Sequence, residues 1–435
     1  MSLPTRTWSR LEASFWFTPA LVVLCSIAAA ALLVELEAVA PSELARRFPR
    51  LFGAGAEGSR AMLSAIGTSM VTVAGVVFSI TIVSLSLTST QYSPSVLRNF
   101  MRDRPIQWVL GVFVGVFAYC LVVLRTIRGG DEGGFVPSIA VLGGMVYAIG
   151  AIALLIFFIH HVALAIQSST IVARIADETE GAIDKLFPDE LGHAPTPAPE
   201  TAASVPARWT ELAAAGSGYL VSVEGPMLLA LARETGRVLR VCPQVGDFVV
   251  QGAPLAAASG EEALSASEVA RLQSSLALGR QRTVQQDAGF GFQQLVDVAL
   301  RALSPGINDP STACMCIDRI GALLGKLARR EMPSSLRMEH AHLRLILPSP
   351  AFAEWLQLAL APLVLHSRGD LQVLQRVVDV LERLAVTLAG TPARRAALLP
   401  VTRLVRGALA PTRSRGPGRP LQARLRALEG GLRER

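Results

Sequence analysis

Four long apolar segments dominate the first part of the chain. Their approximate limits are residues 15–34, 62–90, 106–127 and 136–165. Each is long enough to cross a hydrocarbon core, which takes about 20 helical residues. Charged residues, glycines and prolines separate the four segments. The pattern therefore predicts a membrane domain of four transmembrane helices that ends in an amphipathic helical extension, over residues 1–187.

The hydropathy pattern changes after this domain. Residues 188–207 are rich in proline and alanine without any periodicity, which predicts a linker. Residues 208–260 contain short alternating segments with glycine turns, and residues 261–400 return to helical periodicity. The overall fold class is mainly α: a four-helix transmembrane domain, then a soluble α+β region with a small β-barrel-like module and a helical C-terminal part.

The soluble helices can be placed from their apolar periodicity and their caps. The segment Met338–Leu347 alternates polar and apolar residues and predicts a strand. Residues 401–435 form a basic tail, predicted to be disordered beyond Pro411. The predicted helices are Glu262–Leu278, Gln293–Leu303, Ser311–Arg329, Glu354–Val364 and Asp370–Leu388.

The second apolar segment differs from the others in carrying a row of small and hydroxyl residues. Their spacings of three, four and seven place them on one face of a helix. This face offers uncharged polar contacts to water or ions, so its members are candidates for lining a pathway. Close packing of helices is the structural alternative. The row consists of Ser64, Thr68, Thr72, Gly75, Ser79, Ser86 and Thr90.

A second candidate site lies in the soluble region, where Ser304-Pro305-Gly306 separates two predicted helices. Asp309 is placed to cap the second helix, with Pro310 in its first turn. The alternatives are a structural hairpin with caps and an ion pair, or a ligand or catalytic site with paired carboxylates. The candidate residues are Asp297, Arg301, Ser304, Asn308, Asp309 and Asp318.

Composition narrows the classes of function. The mean hydropathy is +0.43 and the formal net charge is +7, with much of the excess in the arginines of the tail. No aromatic residues interleave with those arginines, so we expect no nucleic-acid partner. Neither P-loop, nucleotide fingerprint nor Ser-His-Asp order is present, and an enzymatic activity is not favoured.

Histidines and cysteines are further candidates for an ion path or a metal site. The His160-His161 pair near the end of the fourth apolar segment could mark an ion or proton path, although interfacial histidines are more common. His340 and His342 lack a third ligand at a suitable spacing, and Cys314 and Cys316 diverge on a helix. We therefore predict no metal site.

Several stretches resemble a known family. These are ALSPGINDP from Ala302 to Pro310, FSI at Phe78, QYSP around Tyr92, the span from Gln107 to Tyr119, and the strand GDFVVQGAPL. Together they are similar to bacterial predicted membrane proteins known as a domain of unknown function, DUF2254. The resemblance covers nearly the whole chain and implies an N-terminal membrane domain and a C-terminal soluble one, without an established activity.

A shorter resemblance concerns the β-rich segment. Residues 236–255, with GRV followed by VGDFVVQGAPL, are similar to half of a biotinyl- or lipoyl-type sandwich barrel. No lysine stands in the hairpin that would carry biotin or lipoate, so we expect a structural module and no cofactor.

The even number of spans places both termini on one side of the membrane. The positive-inside rule separates the sides only weakly here, while the scattered cysteines fit a reducing compartment. These observations favour the bacterial inner membrane with cytoplasmic termini.

Three functions are compatible with this pattern. The first is a homo-oligomeric channel or transport-like protein for an ion or small solute. In it, the hydroxyl rows of several subunits line one pathway and the soluble region regulates that pathway. The second is a membrane-anchored ligand sensor or enzyme with its site at the Asp287–Arg319 hairpin. The third is an envelope scaffold protein. All three have the lipid bilayer as a partner.

Overall fold

The computed structural model describes residues 16–39, 55–91, 104–128, 135–165, 167–187, 206–339, 342–367, 369–410 and 418–433. By their contacts, the residues divide into two compact units, Met1–Thr170 and Ile171–Arg435. The first contains the apolar helices and the second contains two sheets and the remaining helices.

The first unit contains four helices that are long and apolar enough to cross a membrane. This confirms the predicted membrane helices. Their bounds are α1 Phe17–Val39, α2 Ala56–Gln91, α3 Arg104–Thr126 and α4 Ser138–Ala165.

Helix α3 packs closely on α1 through two glycines one turn apart. A Cβ atom added at Gly111 would lie 2.9 Å from the Cα of Pro19, and one added at Gly115 would lie 2.5 Å from the Oγ of Ser26. Membrane helices lack a hydrophobic drive to associate, so close backbone approach of this kind is a main source of their packing energy. The small residues of the third span are therefore packing residues.

Buried polar groups within this bundle have partners from other helices. The Tyr119 hydroxyl donates to the carbonyl of Ala140 at 2.7 Å, and Glu37 accepts from the backbone N–H of Ile139 at 2.8 Å. Ile139 lies in the first turn of α4, where a carboxylate also interacts favourably with the helix dipole. These contacts satisfy groups that would be costly to expose to hydrocarbon.

The second unit contains a five-stranded sheet, in the order β1-β5-β3-β8-β7, and a three-stranded sheet, in the order β4-β2-β6. The strands are β1 Trp209–Ala213, β2 Gly218–Val223, β3 Leu239–Val241, β4 Phe248–Val249, β5 Pro254–Ser259, β6 Leu276–Gly279, β7 Leu336–Glu339 and β8 His342–Ile346. Within the described residues the sheets do not close into a barrel. The barrel-like pattern of GDFVVQGAPL instead contributes β4 to one sheet and β5 to the other.

The prediction of a single strand over Met338–Leu347 is wrong. β7 and β8 form an antiparallel hairpin in which Leu336 pairs with Ile346. β8 then pairs in parallel with β3, where Leu239 is opposite Leu345. Leu343 and Leu345 are buried and turn inward, which completes the core of the β-rich segment with residues from about 100 positions later in the chain.

The five helices predicted from Glu262 to Leu388 are present with shifted ends, but the prediction of helix up to Leu278 is wrong. That helix ends at Ser275, and Leu276 to Leu278 belong to β6 because they pair with β2. The helices after residue 390 are additional to those predicted. The helices of the second unit are α5 Ser168–Leu186, α6 Gly225–Thr235, α7 Ala266–Ser275, α8 Ala288–Ala302, α9 Pro310–Ala328, α10 Phe352–His366, α11 Leu371–Thr387, α12 Pro392–Ala396, α13 Leu399–Ala408 and α14 Arg419–Arg433. A short 3-10 turn, Val284–Gln286, precedes α8.

The prediction of a disordered tail beyond Pro411 is wrong for residues 418–433. This segment forms α14, whose buried leucines include Leu421 and Leu425 at helical spacing. Arg424 donates to Asp379 at 2.7 Å and to Glu382 at 2.6 Å, both on α11. The abundance of arginine concealed an amphipathic helix that packs on the domain.

Helix α5 follows α4 after two residues and packs against α8 and α9. Thr179 of α5 is fully buried, and a Cβ atom added at Gly291 of α8 would lie 2.0 Å from its Oγ1. The hydroxyl of Thr179 donates to the carbonyl of Ile175 at 2.6 Å. Only a glycine at position 291 allows the two helices to approach this closely.

Replacing Gly115 by alanine is expected to lower the stability of the membrane unit by about 1–3 kcal/mol, because the new methyl group would overlap Ser26 and the Tyr147 hydroxyl. Thermal unfolding in detergent measures this. Gly150→Ala is the matched control, since an added Cβ at Gly150 meets nothing within 4 Å. Equal melting temperatures for the two variants would contradict the assigned α1–α3 packing.

Gly291→Ala is expected to loosen α5 from α8, at a similar cost of about 1–3 kcal/mol, because Thr179 cannot move without leaving a buried position. Hydrogen exchange of the α5 amides should become faster. Gly325→Ala on α9 is the control: its Cβ would be unobstructed, so alanine should stabilise that helix by up to about 1 kcal/mol. Unchanged exchange in α5 would refute the close crossing.

Candidate functional site

The hydroxyl row of α2 lies on the outside of the four-helix unit. Ser64, Thr68, Thr72, Gly75, Ser79 and Ser86 are all exposed. A Cβ atom added at Gly75 would meet nothing within 4 Å. Thr90 lies on the same helix, but its side chain is outside the described residues. Among the described residues, the row therefore lies outside the packed face of the four-helix unit.

The packed face of α2 is a different one. It carries Leu63, Gly67, Met70, Ala74, Val77, Thr81 and Ser84, which are buried. At 100° per residue, the centre of this face lies about 150° from the centre of the hydroxyl row. The helix thus presents mostly apolar and small residues to its own bundle, with Thr81 and Ser84 as the buried hydroxyl residues, and the hydroxyl row lies on the opposite side.

The hydroxyl groups can satisfy part of their hydrogen bonding within the helix. Thr72 donates from Oγ1 to the carbonyl of Thr68 at 2.9 Å. Such bonds to the preceding turn reduce the free-energy cost of a threonine in hydrocarbon. They leave the acceptor lone pairs of the oxygen available to water, an ion or a neighbouring helix.

The two histidines of α4 lie away from this row in the sequence and differ in environment. His160 is exposed, and His161 stacks on Phe157 of the preceding turn with ring centroids 5.7 Å apart. Neither the exposure of His160 nor the stacking of His161 identifies a conducting path.

The hairpin between α8 and α9 is held by its own backbone. The carbonyl of Ser304 accepts from the N–H groups of Ile307 and Asn308, at 3.1 and 2.9 Å, and Asp309 donates from its N–H to the carbonyl of Ala302 at 2.8 Å. Asn308 adopts a left-handed conformation with φ of 48° and is exposed. Asparagine tolerates this conformation better than most residues.

Asp309 caps α9, as the sequence predicts. Its Oδ1 accepts from the N–H of Thr312 at 3.0 Å and its Oδ2 from the Thr312 hydroxyl at 2.5 Å. These donors hold the pKa of Asp309 below its ordinary value. Both carboxylate oxygens therefore accept hydrogen bonds from Thr312 at the start of α9. This favours the structural interpretation of the motif.

The other two carboxylates of the motif lie in different surroundings. Asp318 is 3.4 Å from Arg376 and 3.8 Å from Arg383, both on α11. Burial raises the pKa of Asp297, and the positive charge of Arg282 opposes this shift. The hypothesis of a paired-carboxylate site therefore gains no support from these partners. Arg301 lies in the last turn of α8.

A partly buried ion pair that the sequence pattern did not predict lies at the start of α8, at the other end of this helix from the hairpin turn. Arg282 donates from Nε and Nη2 to the two oxygens of Asp287, at 2.8 and 3.2 Å, and from Nη1 to Gln293 at 2.8 Å. Asp287 also caps α8 by accepting from the N–H of Phe290. A Cβ atom at Gly246 would lie 2.5 Å from Asp287, so this pair joins the turn before β4 to the start of α8.

Sequence analysis also missed the charged contacts of α5. Lys326 of α9 donates to Glu180 at 2.8 Å and to Asp184 at 2.7 Å, and Arg330 donates to Asp184 and to the carbonyl of Phe187. The available signal was the run of acidic residues on α5, which the sequence pattern places on an amphipathic helix. These pairs fasten the helix that follows α4 to the second unit.

Within the described residues, no group of three histidine, cysteine or acidic side chains is placed to hold a metal ion. His340 lies outside those residues, and His342 is exposed on β8. Cys314 and Cys316 are buried on α9, and burial raises the pKa of the Cys316 thiol to about 12.

Asn308→Ala is expected to destabilise the hairpin by about 1 kcal/mol, because alanine is unfavourable at positive φ, whereas Asn308→Gly should leave stability nearly unchanged. Chemical denaturation of the full chain in detergent compares them. If the glycine variant lost as much stability as the alanine variant, the Asn308 amide would have a role beyond this backbone conformation.

Comparison with known proteins identifies the family of this chain. The model of the family described as "Predicted membrane protein (DUF2254)" matches residues 12–383. Two similar chains are "Uncharacterized protein Mb1321c" of Mycobacterium bovis and "Uncharacterized protein Rv1290c" of Mycobacterium tuberculosis. Each is 33% identical over 395 residues, covering 89% of this chain and 74% of the relative.

No solved structure matches the chain. The family match covers all four apolar helices and most of the second unit, and it confirms the resemblance drawn from the ALSPGINDP and GDFVVQGAPL stretches. The chain belongs to the DUF2254 family of predicted membrane proteins.

Proposed function

We propose that this protein is a homo-oligomeric channel or transport-like protein of the bacterial inner membrane. The observation that carries the proposal is the exposure of the hydroxyl row on α2. A face meant for lipid is normally apolar, whereas this one carries hydroxyl groups over about 22 residues from Ser64 to Ser86. Subunits that meet along this face would enclose it.

Oligomerisation is a necessary part of the proposal. The packed side of α2 is filled by buried residues of the same chain, including Leu63 and Val77, and so offers no polar path inside one subunit. A pathway lined by the hydroxyl row therefore needs rows from several copies around one axis. Because the row contains no charged residue from Ser64 to Ser86, it would select weakly between cations and anions.

The second unit is proposed to regulate this pathway. Only residues 166 and 167 separate α4 from α5, while α5 is fastened by Thr179, Lys326 and Arg330. A ligand that rearranged the helices around α5 would therefore pull directly on the end of α4. The even number of candidate spans supports the proposal that both termini lie on one side, and the free cysteines of the second unit support a reducing, cytoplasmic side.

The alternative of a sensor or enzyme at the hairpin has weaker support. Asp309 is used as a cap, Asp318 is paired, and the turn satisfies its own backbone groups. No contact favours a scaffold role over the others.

The proposal is tested by replacing one residue at the middle of the row. Ser79→Leu should abolish conductance of the reconstituted protein in planar bilayers with a KCl gradient, because leucine would dewet a shared axis. Ile80→Leu is the matched control: Ile80 is exposed on the same helix but lies about 100° from Ser79, outside the row.

A cross-linking experiment tests the shared axis separately. In a Cys25→Ser background, Ser79→Cys should form disulfides between subunits, whereas Ile80→Cys should not. A monomeric protein in native membranes, or equal conductance of the Ser79→Leu and Ile80→Leu variants, would refute the proposal.

A further inference from the structure

The last two helices enclose a cavity that belongs to neither candidate site. Its volume is about 360 Å³, within the range of about 300–1,000 Å³ typical of small-molecule sites. Arg406 of α13 lines it, together with Gln422, Leu425 and Arg426 of α14. It lies beyond residue 383, where the family match ends.

The lining residues of α14 share one face because they are three or four positions apart. Leu425 is buried and fixes the orientation of the helix, while Gln422 is half-buried and Arg426 is exposed. The helix therefore presents an amide and a guanidinium one turn apart beside an apolar wall. Arg406 faces them from the preceding helix.

One of the two arginines is positioned by a buried carboxylate. Arg406 donates from Nη1 to the Oε2 of Glu429 at 2.8 Å, and the Glu429 residue is only 6% exposed. The Oε1 atom of Glu429 is buried and has no hydrogen-bond partner within the described part of the chain. Glu429 does not line the cavity, so its contribution is to hold Arg406 in place and not to contact a ligand.

The second arginine, Arg426, has no acidic partner among the described residues. Arg424, two residues earlier, is by contrast paired with Asp379 and Glu382. The cavity thus has two guanidinium groups and one carboxylate in its immediate surroundings. Its charge favours an anion.

We propose that this cavity binds the phosphate group of an organic phosphate ester. Guanidinium groups match phosphate oxygens with two parallel hydrogen bonds, and the Gln422 amide supplies a further donor. The Leu425 wall and the volume beyond that of a bare phosphate accommodate the carbon part of an ester. The ester is either a soluble metabolite or an anionic lipid headgroup. This inference does not depend on the proposed channel function.

The test uses the full chain in nanodiscs and follows hydrogen exchange of α13 and α14. In one arm, glycerol 3-phosphate is titrated into nanodiscs of phosphatidylcholine alone. In the other, nothing is added and phosphatidylglycerol replaces part of the phosphatidylcholine. Protection in the first arm identifies a soluble ester, protection only in the second identifies a headgroup, and either outcome supports the site.

Substitutions then distinguish specific binding in the cavity from nonspecific attraction of an anion to the positively charged helix. Arg426→Ala should weaken protection about tenfold or more in ligand concentration, since hydrogen bonds to charged groups contribute about 1.5–3 kcal/mol. Arg433→Ala, which removes the same charge from an exposed position of the same helix, should have little effect. Arg426→Lys keeps the charge but loses the planar fork, so it should weaken protection as well.

The proposal is overturned if neither arm gives protection, or if Arg426→Ala and Arg433→Ala weaken it equally. It is also overturned if Arg426→Lys binds like the parent chain. Exchange of the buried α11 amides reports whether each variant is folded, and Gln422→Ala provides a second lining substitution if Arg426 variants prove unstable.

Discussion

The close approach of α3 to α1 is the contact on which the membrane unit depends. The hydrophobic effect does not drive helices together within hydrocarbon, so their association depends on close packing. The glycines at 111 and 115 allow the two backbones to approach closely, which larger residues would prevent. With α1 against one side of α3, α2 packs elsewhere on it through Leu63 and its neighbours. That arrangement leaves the hydroxyl face of α2 outside the bundle.

The second unit relies on a similar close approach, at Gly291 of α8 against Thr179 of α5. Here the surroundings are aqueous, and ion pairs from Lys326 and Arg330 reinforce the contact at its edge. Exposed pairs of this kind contribute little individually, so packing of the buried face of α5 must supply most of its binding energy. Packing and charge together keep the helix that follows α4 within the second unit.

The sequence predicted those features that depend on local information. Runs of about 20 apolar residues identify membrane helices by length alone, and Asp309-Pro310 marks the start of α9 through capping chemistry. Strand partners could not be predicted this way, because β8 joins β3 through a pairing between residues about 100 positions apart. The helix α14 could not be predicted from its composition, because arginines outnumber the leucines that form its buried face. That face is buried only because α11 lies beside it.

The packing of α14 has a consequence for where the domain ends. Sequence similarity to the family stops at residue 383, inside α11, but the folded unit continues through Arg433. α11 has buried leucines such as Leu381 and Leu384, and its charged residues Asp379 and Glu382 hold Arg424. A chain shortened at the end of the family match would expose part of this apolar surface to water and invite aggregation. The family match and the compact unit therefore have different C-terminal boundaries, and solubility depends on the second.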